Sequence, residues 1–574
     1  MARGAEEEDR GSVVAGRSGA EAEGLGLEEP GFSRWLPAWL DRSLDRVTAW
    51  DTAMRNRWPF KAIVGPEIDP ARVEGSGARL LVRPALLGLV GLCAIAAGAS
   101  QPSSPFALKL PGSWFFGVPS PGSHPSTTGL FLGLVAVYGG LLLLMRAWFS
   151  MARTLATVPG VPVRAVGWVL VLWCLPMLVA PPVFSHDVYA YAAQGEMMSR
   201  HIDPYRFGPN VLGIGAPFQR LVDPIWGNAP APYGPLFLLV DGWLVSLSGH
   251  HELLAIVLLR LVELLGVAMI AVGVPDLARS YGKDPATAFT LGVLNPIVIL
   301  YLVGSAHNDA LMVGFLVLGI AAYRRDRPLL GVLLCALGTA IKAPAALGCL
   351  YIGWTWLGPN ATWKQRIRPV VLAGVVSVLV VQAIAEIAGL GWGWVANLDT
   401  PGTVTSWLAP ATGVGLLLTH VVHGLGISVA GTVIRSLTRV LGLALAGGVG
   451  LWLLWHYQRF GILRAMGATL VLVVALGPVV QPWYLSWGFV VLAPIASTRL
   501  RPWLAGLSMA TAFIGLPGGR QLLGELPSHP ASMAIALLAL LFILTVPLTP
   551  LGRGAGPEGP DGVPGREDEE LATT

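Results

Sequence analysis

The stretch VRAVGWVLVLWCLPMLVAPPVF (163–184) runs directly into SHDVYAYAAQGE (185–196), and this junction decides how the chain is read. The first part is apolar over the ~20 residues that a helix needs to cross a bilayer. The second part delivers a carboxylate, Asp187, to the point where that run ends. A carboxylate at a membrane–water boundary is costly to hold, so it is a functional-site candidate by default. The following segment, 185–250, is rich in polar, aromatic and proline residues.

The rest of the chain has the character of the first part. Its 574 residues are 54% hydrophobic and 13% charged, where a soluble globular protein carries about 25% charged residues. No water-soluble fold buries that much apolar surface. Alternating strand patterns are absent, which excludes a barrel. The expected class is therefore an all-α polytopic membrane protein. Apolar runs starting between Ala85 and Met533 suggest about 14 transmembrane helices. Cys93, Cys174, Cys335 and Cys349 lie in apolar runs without metal spacing and read as packing residues. Neither a cofactor nor a metal site is expected from the sequence. A net charge of +4 gives no reason to expect a nucleic-acid partner.

Four regions follow from composition. Residues 1–33 and 551–574 are Gly-, Pro- and Glu-rich and read as disordered tails. Residues 34–79 contain Leu40, Leu44, Val47 and Met54 at helical spacing, with Arg42 and Arg46 turned away. That pattern suits an interfacial amphipathic helix or a short helix packed on the body. Residues 80–550 form the membrane body. Basic clusters such as Arg146/Arg153, Arg279/Lys283, Arg324/Arg325/Arg327 and Lys364/Arg366/Arg368 fall on one side if both termini are cytoplasmic. This orientation requires Tyr233–Ser248 and Ala411–Ile427 not to cross, making them juxtamembrane helices on the outer side. It also places Asp187, His307, Lys342 and Gln481–Trp487 on the outer face, although none of these was used to choose it.

Asp187 is a candidate general base: the end of a span fixes it and partly desolvates it. Its alternative role is to cap the helix that follows. His186 is suited to polarising a phosphate or to facing water. His307-Asn308-Asp309 opens a span, and polar side chains at a helix N-terminus make an anion site; capping by Asn308 or Asp309 is the alternative. Lys342, late in an apolar run, must pair or reach the interface, and a lipid phosphate satisfies both. Arg260 and Glu263 are spaced to pair with each other. Trp226 and Tyr233 are placed to stack on a sugar, and Gln481, Trp483 and Tyr484 read as interface-belt residues or as sugar contacts. Nucleotide-binding loops, zinc motifs and serine nucleophile elbows are absent. No cytoplasmic segment is large enough for a nucleotide-sugar domain, so a transferase of this shape needs a lipid-linked donor.

Asp187-Val188-Tyr189-Ala190-Tyr191-Ala192-Ala193-Gln194-Gly195, Asp203-Pro204-Tyr205, Ala231-Pro232-Tyr233-Gly234-Pro235-Leu236 and Gly304-Ser305-Ala306-His307-Asn308-Asp309 together resemble the actinobacterial α-1,6-mannosyltransferases of the MptA/MptB type, within the GT-C glycosyltransferases. The likeness covers about residues 80 to 550 in architecture, with its specific motifs between 185 and 312. It implies polyprenyl-phosphate-mannose as donor and a lipid-anchored α-1,6-mannan as acceptor, in lipomannan and lipoarabinomannan assembly. It further implies inverting transfer at the extracytoplasmic face of the plasma membrane. In that reading Asp187 deprotonates the acceptor hydroxyl, and His307, Lys342 and Arg260 hold the departing phosphate. His186, Tyr189, Asp203, Tyr205, Trp226, Tyr233, Asn308, Asp309, Gln481, Trp483 and Tyr484 contact acceptor or sugar. An arabinosyl or glucosyl transferase of the same superfamily is the nearest alternative. A transporter or flippase is the alternative from another class; it predicts an internal repeat, which the sequence lacks.

Overall fold

The computed structural model describes residues 77–101, 126–158, 160–498 and 500–514, and among these it is helical without strands. The expected tails, the expected interfacial helix and the apolar run near Met533 lie outside the described residues.

Helices α1 (Val82–Ala99) and α2 (Thr127–Thr157) pack at close range. A Cβ on Gly91 would stand 2.6 Å from the Gly140 carbonyl oxygen, so only glycine permits this approach. Without a hydrophobic drive between helices in lipid, such small-residue contacts hold membrane bundles together. α3 (Val163–Val179) joins them through Trp173, which is fully buried and donates its indole N–H to the Ala85 carbonyl at 2.9 Å. Pro181 and Pro182 then end the helix, because the residue before a proline avoids helical backbone.

The chain next forms α4 (Asp187–Ser199), an irregular segment, and α5 (Pro235–Leu247). α6 (Glu252–Ser280) is a full-length span, and α7 (Pro285–Gly292) follows. A π-helical stretch, Val298–Gly304, meets α8 (Asp309–Arg324) at a bend of 114°. Residues 305–308 sit in that break. α9 (Pro328–Thr339) and α10 (Ala346–Thr355) flank the loop that carries Lys342. α11 (Trp363–Ile387), α12 (Pro410–Gly424), α13 (Gly431–Trp455), α14 (Ile462–Ala475), α15 (Leu485–Leu492) and α16 (Leu500–Ala512) complete the described bundle.

By length and apolar composition, five described helices can cross a membrane, or six if the bent pair is one span. Shorter apolar helices of 10–17 residues accompany them. This falls short of the 14 or so spans expected from the sequence. Prolines and breaks divide several apolar runs into helices too short to cross alone. α9, with 12 residues, is one of these, about 18 Å long. Within the Tyr233–Ser248 segment, which the basic clusters keep on the outer side if both termini are cytoplasmic, α5 has 13 residues.

The breaks converge on one end of the bundle. The C-terminus of α3, the bend before α8, the end of α9 and the start of α15 all bring loops to the same place. At the far end of α8, about 24 Å away along its axis, Arg324 and Arg325 bond to Ser280 and Asp276 of α6.

Candidate active site

Two loops face each other at the polar end. The first, 180–187, contains Phe184 at φ +63°. The second, 304–309, contains Ala306 at φ +54°. Left-handed backbone at non-glycine residues is strained and persists only where the surroundings enforce it. A Ser305 hydroxyl donated to the Val183 carbonyl ties one loop to the other.

Asp187 is the first residue of α4. The cap position belongs to His186, which makes no side-chain cap bond. The Asp187 carboxylate points instead toward His307, with Oδ2 3.7 Å from Nδ1. Only 17% of the Asp187 side chain is exposed. That burial pushes its pKa up to about 6, helped by the nearby Asp309 charge and opposed by Lys342, Trp226 and His186. Keeping the charged form there costs about 3 kcal/mol relative to water.

His307 is fully buried and stacks on Trp483, ring centroids 3.8 Å apart at 17°. Its Nδ1 also lies 3.4 Å from the Tyr191 hydroxyl, and its Nε2 has no protein partner. Asn308 and Asp309, both fully buried, receive the Lys342 ammonium: Nζ donates to Asn308 Oδ1 at 3.2 Å and to Asp309 Oδ2 at 2.8 Å. The second Asp309 oxygen accepts the Trp487 indole N–H. Lys342 lies over the rings of Tyr233, Tyr484 and Trp487, at 5.7, 4.8 and 5.7 Å from their centroids. Cation–π contacts and an ion pair together allow an ammonium to sit this deep.

The Lys342 loop is held by backbone pairing with the segment before α5. Gly234 N–H donates to the Ile341 carbonyl and Leu236 N–H to the Ala340 carbonyl, each at 2.9 Å. A Cβ at Gly234 would stand 2.3 Å from the Ala340 oxygen, which explains why the Tyr-Gly-Pro turn requires glycine.

A narrow cleft, with a cavity volume of about 30 Å³, lies over this cluster. Asp187, Gln194, Trp226, Tyr233, Thr400, Gln481, Trp483 and Tyr484 are among its walls. Of the residues singled out from the sequence, Asp187, Trp226, Tyr233, Gln481, Trp483 and Tyr484 line it directly. His307, Asn308, Asp309 and Lys342 form the polar cluster beside Asp187. The others stand elsewhere. Asp203 accepts the Tyr205 N–H and pairs with Arg206. Tyr205 donates its hydroxyl to the Tyr233 carbonyl, bracing the wall from behind. His186 lies 3.8 Å from Asp223, and Tyr189 is buried in the core. Arg260 does not pair with Glu263. It gives its protons to three main-chain carbonyls, while Glu263 accepts the Leu311 N–H at the start of α8.

Sequence reasoning did not select Tyr191, Gln194, Trp487 or Thr400. Tyr191 and Gln194 follow Asp187 by four and seven residues, the helical spacing that shares a face, and this was the available signal. Thr400 offers none. A wider groove, lined by residues such as Asn210, Gln219 and Arg220, lies in the irregular segment after α4. The Arg220 charge there is taken up by Glu252.

A family model described as the N-terminal domain of α-(1→6)-mannopyranosyltransferases of the MptA/MptB family matches residues 85–358, and an MptB C-terminal domain model matches residues 411–545. The α-(1→6)-mannopyranosyltransferase A of Mycobacterium tuberculosis is 32% identical over 497 residues, covering 83% of this chain and 90% of that protein. The chain belongs to the MptA/MptB family. A probable α-(1→6)-mannopyranosyltransferase of Mycolicibacterium smegmatis is 33% identical over 66% of this chain and 73% of its own length. The α-(1→6)-mannopyranosyltransferase B of Corynebacterium glutamicum is 28% identical over 78% of each chain. No solved structure matches. Within the family match, the first model covers Asp187, the His307–Asp309 loop and Lys342, while Gln481, Trp483, Tyr484 and Trp487 lie within the second.

Proposed function

We propose that this protein transfers mannose from polyprenyl-phosphate-mannose to an α-1,6-mannan chain on a lipid anchor, with inversion, at the extracytoplasmic face of the plasma membrane. The observation that carries the reading is the cluster itself: a partly desolvated carboxylate at the cleft wall stands beside a buried imidazole and a buried, ion-paired ammonium. Asp187 takes the proton of the acceptor 6-hydroxyl as that oxygen attacks the anomeric carbon. The bond from that carbon to the polyprenyl phosphate breaks, and the phosphate leaves as an anion. Lys342 and His307 stabilise it, so the leaving group needs charge stabilisation more than a proton. The Nε2 of His307 has no protein partner and, with the ring fully buried, donates to a phosphate oxygen only where the donor reaches the cluster below the cleft. Trp226, Tyr233, Trp483 and Tyr484 supply ring faces for the sugars, and Gln194 and Gln481 supply amides for hydroxyls. Nothing in this scheme calls for a metal or a cofactor.

The test is transfer from radiolabelled polyprenyl-phosphate-mannose to a short α-1,6-mannoside in membranes carrying the protein. New α-1,6-linked product supports the reading. Transfer from a nucleotide sugar alone, or lipid movement without a new glycosidic bond, overturns it. If an arabinosyl or glucosyl lipid phosphate outcompetes the mannosyl donor, the chemistry stands but the sugar assignment falls.

Protonation of Asp187 abolishes its capacity as a base. Transfer is therefore expected to be retained above about pH 6 and lost as the pH falls through that value. A pH–rate profile with no acidic limb anywhere between about pH 4 and pH 7 would remove Asp187 from this role.

The orientation has a separate check. Ile214, 80% exposed in the segment between α4 and α5, is replaced by cysteine. A membrane-impermeant thiol reagent is expected to label Ile214→Cys in intact cells. Labelling only after permeabilisation would turn the site inward.

A further inference from the structure

Arg260 sits on α6, 1% exposed, where a charge needs a reason. Its Nη1 donates to the carbonyls of Leu178 and Ala180, at 3.0 and 2.8 Å, and its Nη2 to the carbonyl of Gly304 at 2.8 Å. The first two oxygens close the C-terminus of α3, and the third closes the π-helical stretch. Helix C-termini carry unsatisfied carbonyls and partial negative charge. In a membrane body these carbonyls have no water to turn to. One guanidinium thus closes two helix ends at once.

Those ends begin the two loops of the site. Ala180 precedes Asp187 by seven residues, and Gly304 precedes His307 by three. The Ser305 hydroxyl reaches the Val183 carbonyl as a second tie between the same loops. Each loop also holds one residue in strained left-handed backbone, Phe184 and Ala306. Like His307 and Lys342 the guanidinium lies off the cleft wall, but both of its Nη atoms are taken up by main-chain carbonyls.

We infer that Arg260 is a positioning residue that sets the spacing between the carboxylate of Asp187 and the ring of His307, and does not bind the donor phosphate. Ser305 serves the same end more weakly. The inference rests on the mannosyl-transfer reading, so wild-type transfer is measured first; its absence would sink that reading and not this one.

The experiment compares wild type, Arg260→Lys and Ser305→Ala at equal protein level, with donor titrations and full pH–rate profiles. Lysine keeps the charge but has no planar fork to span three carbonyls. Misplacement by about 1 Å costs up to roughly 10²-fold in rate. Arg260→Lys is expected to lower kcat by about 10–100-fold, with donor KM changed less than about twofold. As the loops loosen and admit water to Asp187, the acidic limb should move below its wild-type position. Neither variant alters the titratable groups around Asp187, namely Lys342, Asp309, His186, His307 and the Tyr191, Tyr233 and Tyr484 hydroxyls. Ser305→Ala is expected to shift kcat and the limb the same way by a smaller amount, and it decides the matter if Arg260→Lys does not accumulate. A tenfold rise in donor KM with kcat and limb unchanged would make Arg260 a phosphate ligand. A fall in kcat with no movement of the limb would leave it a packing residue only. Either result overturns the inference.

Discussion

Asp187→Asn is expected to lose about 10²–10⁴-fold in mannosyl transfer at unchanged protein level. Asparagine matches the carboxylate in size and can accept a hydrogen bond, but it cannot take up the acceptor proton. The structure gives no reason for the variant to misfold. The Asp187 carboxylate makes no cap bond to α4, the His307 Nδ1 stands 3.7 Å away, and the Trp226 side chain that bonds the carboxylate can bond an amide oxygen instead. The neutral amide also removes a desolvated charge, so stability should hold or rise slightly. Donor KM should change little, because the phosphate is assigned to Lys342 and His307. Retained transfer in this variant would move the search for a base to Asp203, Asp223 or Asp309. Of these, Asp203 is already engaged by Tyr205 and Arg206, and Asp309 by Lys342 and Trp487.

The second large effect is expected at Lys342, and it has two parts. Lys342→Met removes the cation proposed to stabilise the leaving phosphate, and transfer should then fall by roughly 10²–10³-fold. It also leaves Asp309 fully buried without its ion pair, with only the Trp487 indole N–H donating to it. Removing one member of a buried pair destabilises by about 3–5 kcal/mol, because the remaining charge is uncompensated. Protein level in the membrane should therefore drop. The double variant Lys342→Met with Asp309→Asn separates the two parts. Neutralising the carboxylate should restore accumulation, while transfer stays low. Recovery of both together would mean that Lys342 serves only to hold Asp309 and α8 in place, and the phosphate would need another cation.

The parts of this site that could be read from the chain share one property: a polar side chain interrupts an apolar run. Asp187, the triplet His307-Asn308-Asp309 and Lys342 all announce themselves in that way, and the fold gathers them at one end of the bundle. Trp487, which donates to Asp309, carries no such signal, since a tryptophan at the end of an apolar run is indistinguishable from a belt residue. Tyr191 and Gln194 sit on a helix whose other faces are also buried, so periodicity alone does not say which face meets the cleft. Arg260 shows a deeper limit. Its acceptors are main-chain oxygens, and these leave no trace in residue identity; the side chain three residues on, Glu263, looked like the natural partner and is turned to α8. The span count suffers from a related ambiguity. Hydropathy measures how apolar a run is, but the bend of 114° before α8 and the short α9 depend on where backbone hydrogen bonds stop.

The grip of Arg260 on carbonyl oxygens has a consequence for how such a protein can change over generations. Every amino acid carries the same oxygen on its main chain. Substitutions at Leu178, Ala180 or Gly304 that preserve the backbone path leave all three bonds to the guanidinium available. The coat around these helix ends can thus drift to suit a different lipid or neighbour, while the alignment of the reacting groups passes on unaltered. A single side chain on α6 insulates the chemistry from the ancestry of the surface around it.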